Sequence, residues 1–265
     1  MMQPMARQKG FALLIVLFAL AMLALLGSTV LATARQDVQI ARNLREAAVL
    51  RAAARGAVQQ AIFRVLDQSN QHWAADDIPR AIRIGASLVI VRVENENDKV
   101  NPNTASVPLL RALLVQVGAD PITAEREAEA IVAWRLAGGV PGRPDATTAR
   151  YIAAGMAYGP SGAPFSNLDE LSAVMGMTPA LLARLRPHLT VFTDDDPDMT
   201  TEDPFVARAL ASIGDTTLGA GPGAPEVVSI TADAHGAGGS RFTAREIVRT
   251  NARTVGRRYD VLDYE

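Results

Sequence analysis

No charged residue interrupts the chain from Phe11 to Ala34. A helix needs about 20 apolar residues to cross the hydrocarbon core of a bilayer, so this pattern predicts a membrane-spanning helix. Arg7 and Lys9 stand in front of it. Positive charge there holds the N-terminus in the cytoplasm and sends the bulk of the chain across. Arg35, just behind the span, reduces the contrast. From Gln36 to Asp67 there is no proline, and the stretch is rich in Ala, Leu, Arg and Gln, all good helix formers. Ala54, Val58, Ala61, Ile62 and Val65 recur at three- and four-residue spacing, the period of one helix face. Arg42, Arg45, Arg51, Arg55 and Arg64 occupy the remainder. Together the two stretches predict one helix of about 55 residues and roughly 80 Å, apolar in its first half and amphipathic in its second.

Beyond this helix the period changes. Ser69 to Pro79 is turn-like. Arg80 to Glu94 alternates, with a turn at Gly85, and Val89, Val91 and Val93 share one strand face. After the polar ENENDKVN the texture becomes helical. Ser106 and Pro108 suit a helix start, and Leu109, Leu110, Leu113 and Leu114 form its apolar face. VGADP breaks it, and Ala124 to Arg135 follows as a second helix anchored by Ile131, Val132 and Trp134. RLAGGVPGRPDATT is predicted to be loop from its glycines and prolines. Ser166 or Asn167 caps a helix expected to end near Gly176, and Thr178-Pro179 opens another, closed by Pro187. An acidic run from Asp194 to Asp203 precedes a short helix, Pro204 to Ser212. EVVSITADA, RFTAREIVRT and RRYDVLDY then predict three strands joined by short connections, an antiparallel meander. The fold class is α+β.

Composition narrows the chemistry. The net charge of −2 gives no global field for nucleic acid or anionic lipid. Cysteine is absent, which excludes disulfides, thiol catalysis and cysteine zinc sites. His72, His188 and His235 are scattered singly, without metal-ligand spacing. No nucleophile elbow, phosphate loop or metal-binding helix motif occurs, so a non-enzyme with no cofactor, metal or small-molecule substrate is expected. Asp194, Asp195, Asp196 and Asp198 have the chemistry to chelate a cation, with a solvated acidic turn as the alternative. The tripeptide Ala32-Thr33-Ala34 imitates a signal-peptidase site, which leaves a cleaved secretory signal as a competing account of the N-terminus.

The start QKGFALLIV resembles the type IV prepilin signal. In that family a prepilin peptidase cuts after the glycine, the apolar helix is retained, and the new N-terminal residue is N-methylated. Carried over, cleavage falls between Gly10 and Phe11, Phe11 is methylated, and Arg7 and Lys9 provide the leader charge. Most prepilins carry glutamate five residues after the cut, where it pairs with the N-terminal amine of a neighbouring subunit. Here Ile15 stands at that place. A membrane carboxylate costs a few kcal/mol unless paired, and a subunit with nothing above it has no such pairing to make. The resemblance thus implies a tip position.

Two stretches, NPNTAS to WR and LDELSAVMGMTPALLARL, resemble helix-hairpin-helix units. In DNA-binding versions a Gly-apolar-Gly turn brings backbone N–H groups to phosphate. Here the turns are Val117-Gly118-Ala119-Asp120 and Met175-Gly176-Met177-Thr178, with one glycine each, and charges between 101 and 190 roughly cancel. Phosphate tracking needs net Lys and Arg, so no nucleic-acid partner is expected. A membrane-anchored, competence-like DNA-binding protein remains the alternative.

The prepilin start without its acid, VENENDKVNPNTAS, PFSNLDELSAVMGMTPALLARLRPHLTVFT and a last strand ending YDVLDY are together similar to the minor pseudopilin K family of type II secretion systems. The resemblance implies a pilin-like long helix on an antiparallel sheet, with a large all-helical insertion. It divides the chain into a leader (1–10), a transmembrane and filament helix (11–34), its amphipathic continuation (35–68), first strands (80–100), helical insertion (101–190) and remaining sheet (191–265). It further implies an inner-membrane protein with its bulk in the periplasm, and minor pseudopilins I and J as partners. Its role there is to initiate a pseudopilus that exports folded proteins through an outer-membrane secretin. Some members bind calcium through acids near the insertion tryptophan. Here Ala133-Trp134-Arg135-Leu136-Ala137-Gly138 holds none, and the loop after it offers little beyond Asp145. Calcium takes six to eight oxygens, so none is expected there.

Overall fold

The computed structural model describes residues 9–137, 146–214, 227–236, 239–251 and 256–264, without the side chains of 9, 10, 27 and 29–35. One helix, α1, runs Lys9–Val65 over 57 residues, about 85 Å at the α-helical rise. Its packing begins at Leu50. Leu50, Ala53, Ala54, Ala57, Val58, Ala61, Ile62 and Val65 are buried, and each has others of the set three or four residues away, so they form a single face. Four of these eight are alanine, so the helix axis lies close to what it covers.

What it covers is a five-stranded sheet in the order β1-β2-β3-β4-β5. The strands are β1 Arg80–Ile84, β2 Ser87–Asn95, β3 Val227–His235, β4 Arg241–Arg249 and β5 Asp260–Tyr264, every neighbour antiparallel. Register places Val91 opposite Ala232 and Val93 opposite Ile230, with Ala232 opposite Ala244. These residues are buried against α1. Glu246, opposite Ile230, joins them and accepts a hydrogen bond from Gln59 Nε2 at 3.3 Å. The β1–β2 turn is as tight as two residues allow, and Gly85 takes φ +59 there, a conformation glycine adopts without strain.

Between β2 and β3 lies a helical body with its own core. It contains α2 Val107–Gln116, α3 Pro121–Leu136, α4 Ala146–Ala153, α5 Pro179–Leu185 and α6 Pro204–Ser212. Leu109, Leu110, Leu113 and Leu114 of α2 pack with Ala124, Ala128, Ile131 and Trp134 of α3 in one buried cluster. Helix starts use the expected chemistry. Ser106 Oγ accepts from Leu109 N, Asp120 from Ile122 N and Thr123 N, and Thr178 Oγ1 from Leu181 N, each satisfying an orphan N–H of a first turn.

Three sequence expectations differ from the structure. The stretch predicted to be loop, which ends at Thr148, overlaps the start of α4, whose Tyr151 is buried. The helix expected from Ser166 or Asn167 to Gly176 is a short 3-10 helix over Leu168–Ala173, capped by Asn167; Val174 is already extended and Gly176 left-handed, so it stops before the expected end. Finally, α6, placed by sequence after the insertion's end at residue 190, buries Val206, Ala209 and Leu210 in the insertion's core.

Candidate functional site

In the N-terminal half of α1 none of the described side chains is buried. Every described side chain from Phe11 to Leu26 is exposed; Phe11 is 70% and Ile15 52% accessible. Ser28 Oγ donates to Leu25 O at 2.8 Å, which satisfies its hydroxyl inside the helix. Among the described residues no helix is long and apolar enough to cross a membrane. The expected span over 11–34 falls partly outside them, since the side chains of Gly27 and of 29–35 are not described. Arg7 and the side chains of Lys9 and Gly10 also lie outside.

The phrase VENENDKVNPNTAS lies where the sheet meets the insertion. Asn95 accepts from Asn97 N at 3.0 Å and caps a 3-10 turn over Glu96–Asp98. Asn97 Oδ1 accepts from Val227 N, the first residue of β3, at 2.8 Å. Glu96 is 1% exposed. Lys99 Nζ donates to it at 2.8 Å and to Glu94 at 2.9 Å, while Arg245 Nη2 approaches Glu96 at 3.6 Å. Burial alone would lower the Lys99 amine; the carboxylates of Glu96 and Glu94 outweigh it and hold it above the ordinary value. Val100 then forms a parallel bridge with Leu189. Asn101 Nδ2 donates to Thr193 O at 2.6 Å. Asn103 donates to Phe165 O and accepts from Phe165 N. The polar side chains of the phrase are thereby engaged, most of them within it or within the insertion, while Asn97 and Glu96 reach β3 and β4, and what the arrangement can do is hold the junction in fixed relation.

A cleft of about 480 Å³ opens beside this junction, lined by Asp76, Asp77, Glu94, Asp98, Lys99, His188, Glu202 and Asp203. Its charges are largely paired internally. Arg80 binds Asp76, Arg92 binds Asp77 and His188 binds Asp203. Burial, with the like charge of Glu202, raises the Asp98 carboxyl. Among the described residues no group of three or more acids or histidines has the geometry of a metal site. The acidic run is likewise engaged: Asp194 with Arg249 at 3.3 Å, Asp196 with Thr104 at 2.9 Å, and Asp198 with Thr200. Asp145 lies outside the described residues. The three histidines stay apart, with His72 near the end of α1, His188 in the insertion and His235 at the end of β3.

Both hairpin turns keep exposed residues, Gly118 and Asp120 in one and Gly176 and Thr178 in the other, yet each glycine has protein against one side. Gly118 has φ +92, and a Cβ there would meet Arg184 Nη1 of α5 at 3.0 Å. Gly176 has φ +101, and a Cβ there would fall within the carboxyl group of Glu127 on α3. Each turn glycine thus has a charged side chain of the other hairpin beside it. An approaching phosphate at the second turn would meet a carboxylate, which opposes the DNA-binding reading electrostatically. Sequence reading did not single out Glu127 or Lys99. Glu127 had a visible signal, since its spacing from Ala124 and Ile131 puts it on the apolar face of α3.

These features define a class: an α+β protein whose meander sheet rests on one long helix and carries a helical body in its β2–β3 connection. Residues 86–194 match the family model of type II secretion system protein K. A chain of the crystal structure of the GspK–GspI–GspJ complex from the enterotoxigenic Escherichia coli type 2 secretion system is similar in fold. It aligns with a TM-score of 0.58 and 15% identity, covering 84% of this chain and 98% of that one. No curated protein sequence matches. The similarity to type II secretion system protein K thus rests on residues 86–194.

Proposed function

We propose that this chain is the tip subunit of a type II secretion pseudopilus and helps initiate its assembly. In this reading it is a structural protein, not an enzyme. It enters the inner membrane through Phe11 to Ala34, and its sheet and insertion lie in the periplasm. Prepilin peptidase removes residues 1–10 after Gly10, and Phe11 becomes the methylated N-terminus. Minor pseudopilins I and J of the same system are its partners, by analogy with the similar complex, in which GspK is joined to GspI and GspJ.

One observation supports this reading most: the segment similar to protein K leads from β2 into the insertion of a sheet held by a long helix, and the described side chains of that helix from Phe11 to Leu26 are exposed and uncharged. An exposed apolar helix of that length needs either lipid or neighbouring helices to cover it. Ile15 adds the tip assignment, because it offers no carboxylate to a subunit above.

The test is assembly. All residues buried against the sheet lie at Leu50 or beyond in α1, so a fragment starting near residue 36 retains the complete core. Mixed with the soluble domains of the cognate I and J proteins, it is expected to elute as one ternary complex in size-exclusion chromatography. Separate elution of the fragment from a preformed I–J pair would refute the partner assignment.

A further inference from the structure

Among the described residues of the insertion, Glu127 is the fully buried charged side chain that neither the junction nor the helix caps use. Glu127 projects from the buried face of α3 and is fully inaccessible. Its Oε1 accepts from Arg126 Nε at 3.1 Å, with Arg126 Nη2 also at 3.1 Å. Its Oε2 is buried and has no hydrogen-bond partner among the described residues. A carboxylate oxygen shut away from water without a donor is strongly destabilising. Arg126 is 62% exposed, so solvent screens its charge and it offsets only part of that penalty.

The turn Met175–Thr178 closes over the carboxyl from the opposite side. Gly176 makes the approach possible, since any Cβ there would overlap the Glu127 carboxyl group. Tyr151 of α4 completes the surroundings, its hydroxyl accepting from Met175 N at 2.9 Å. The groups that can carry charge facing Glu127 are therefore Arg126 from its own helix and Tyr151 from α4. The turn itself contributes no ionisable side chain.

We infer that Glu127 and the Gly176 turn form a pH-sensitive clasp between α3 and the second helical hairpin, closed when the carboxyl is neutral and loosened when it ionises. The neutral form has no unmet charge to hydrate, so the turn can stay over it. The ionised form draws water, which the closed turn excludes. The direction of titration agrees: burial raises the Glu127 carboxyl above its ordinary value of 4.5, against the hydrogen bond and charge of Arg126. For such a group the stabilisation is fully present below 4.5 and is lost as pH rises through the folded-state value. Within that window one proton is linked to opening, so the opening constant changes by up to about tenfold per pH unit.

Trp134 lies on the same helix, stacked on Phe165 at 6.3 Å and tilted against Tyr151 at 5.9 Å. The chain has two tryptophans, so Trp73→Phe leaves Trp134 as the single reporter. Urea unfolding of the full chain in detergent, followed by Trp134 fluorescence between pH 4.5 and 7.5, is expected to show resistance falling as pH rises. Glu127→Gln should flatten that slope, and parallel slopes for the two proteins overturn the clasp. If Glu127→Gln does not fold, ¹³C carboxyl NMR of Glu246→Gln protein decides instead, because Glu246 is the other glutamate raised by burial. One remaining glutamate titrating above the rest supports the clasp, and its absence overturns it.

Discussion

Lys99 shows how much one side chain carries at the junction. It is one of two lysines in the chain, the other being Lys9 of the proposed leader. Its ammonium is the nearest counter-charge to Glu96, which is 2% exposed at the side chain. Arg245 is the second, at 3.6 Å. Removing one member of a buried ion pair strands the other and costs roughly 3–5 kcal/mol. Because Arg245 remains, Lys99→Met is expected at the lower end, about 3 kcal/mol, measured by urea unfolding at pH 7. The Lys99 amine is raised in the folded state. Its contribution is therefore fully present below the ordinary value of 10.5 and is lost as pH rises beyond it. The wild-type protein should lose stability steeply above that point, and Lys99→Met should show a shallower alkaline limb.

Among the elements, α6 joins two kinds of stabilisation at its N-cap, Asp203. Asp203 Oδ1 accepts from Phe205 N at 2.8 Å and Val206 N at 3.2 Å. Its Oδ2 lies 2.5 Å from His188 Nδ1, whose ring packs against Phe205 at 4.6 Å. Burial would raise this carboxyl, but His188 and the two capping N–H groups outweigh it and hold it below the ordinary 3.8. A cap is worth about 1 kcal/mol, and a charge-assisted hydrogen bond about 1.5–3 kcal/mol. Asp203→Ala should therefore lose about 2–3 kcal/mol in calorimetry, and Asp203→Asn should recover roughly 1 kcal/mol by restoring the cap. The wild-type contribution is present above pH 3.8 and is lost as pH falls below it. The bounds of α6 and the strands were legible because each rests on local signals, a proline at a helix start and a two-residue period bounded by turns, whereas Asp203 reads only as part of an acidic run. By contrast α4 was hidden. It lies among glycines and prolines that predict loop, and what holds it is Tyr151 packing on Trp134, a contact between distant positions. The same applies to the Gly176 turn. Its glycine was noticed for phosphate, whereas the group over it, Glu127, comes from another hairpin and is not adjacent in sequence.

At the scale of the whole molecule, α1 divides where its partners change. From Leu50 onward it serves this chain's sheet, and before that its apolar side chains face outward. The tip reading assigns that outward stretch to lipid and to neighbouring helices below. Ile15 is the position at which this reading can be separated from an ordinary filament position. An unpaired carboxylate in the membrane costs a few kcal/mol, and a subunit below another recovers it by pairing with the amine above. A subunit with nothing above cannot. Ile15→Glu is therefore expected to lower secretion and pseudopilus number, while Ile15→Leu leaves both unchanged. N-terminal sequencing of both variants should still begin at Phe11, which separates an assembly defect from a processing defect. If Ile15→Glu instead supports normal assembly and the subunit is found along the filament, the chain has a neighbour above it and the tip assignment fails.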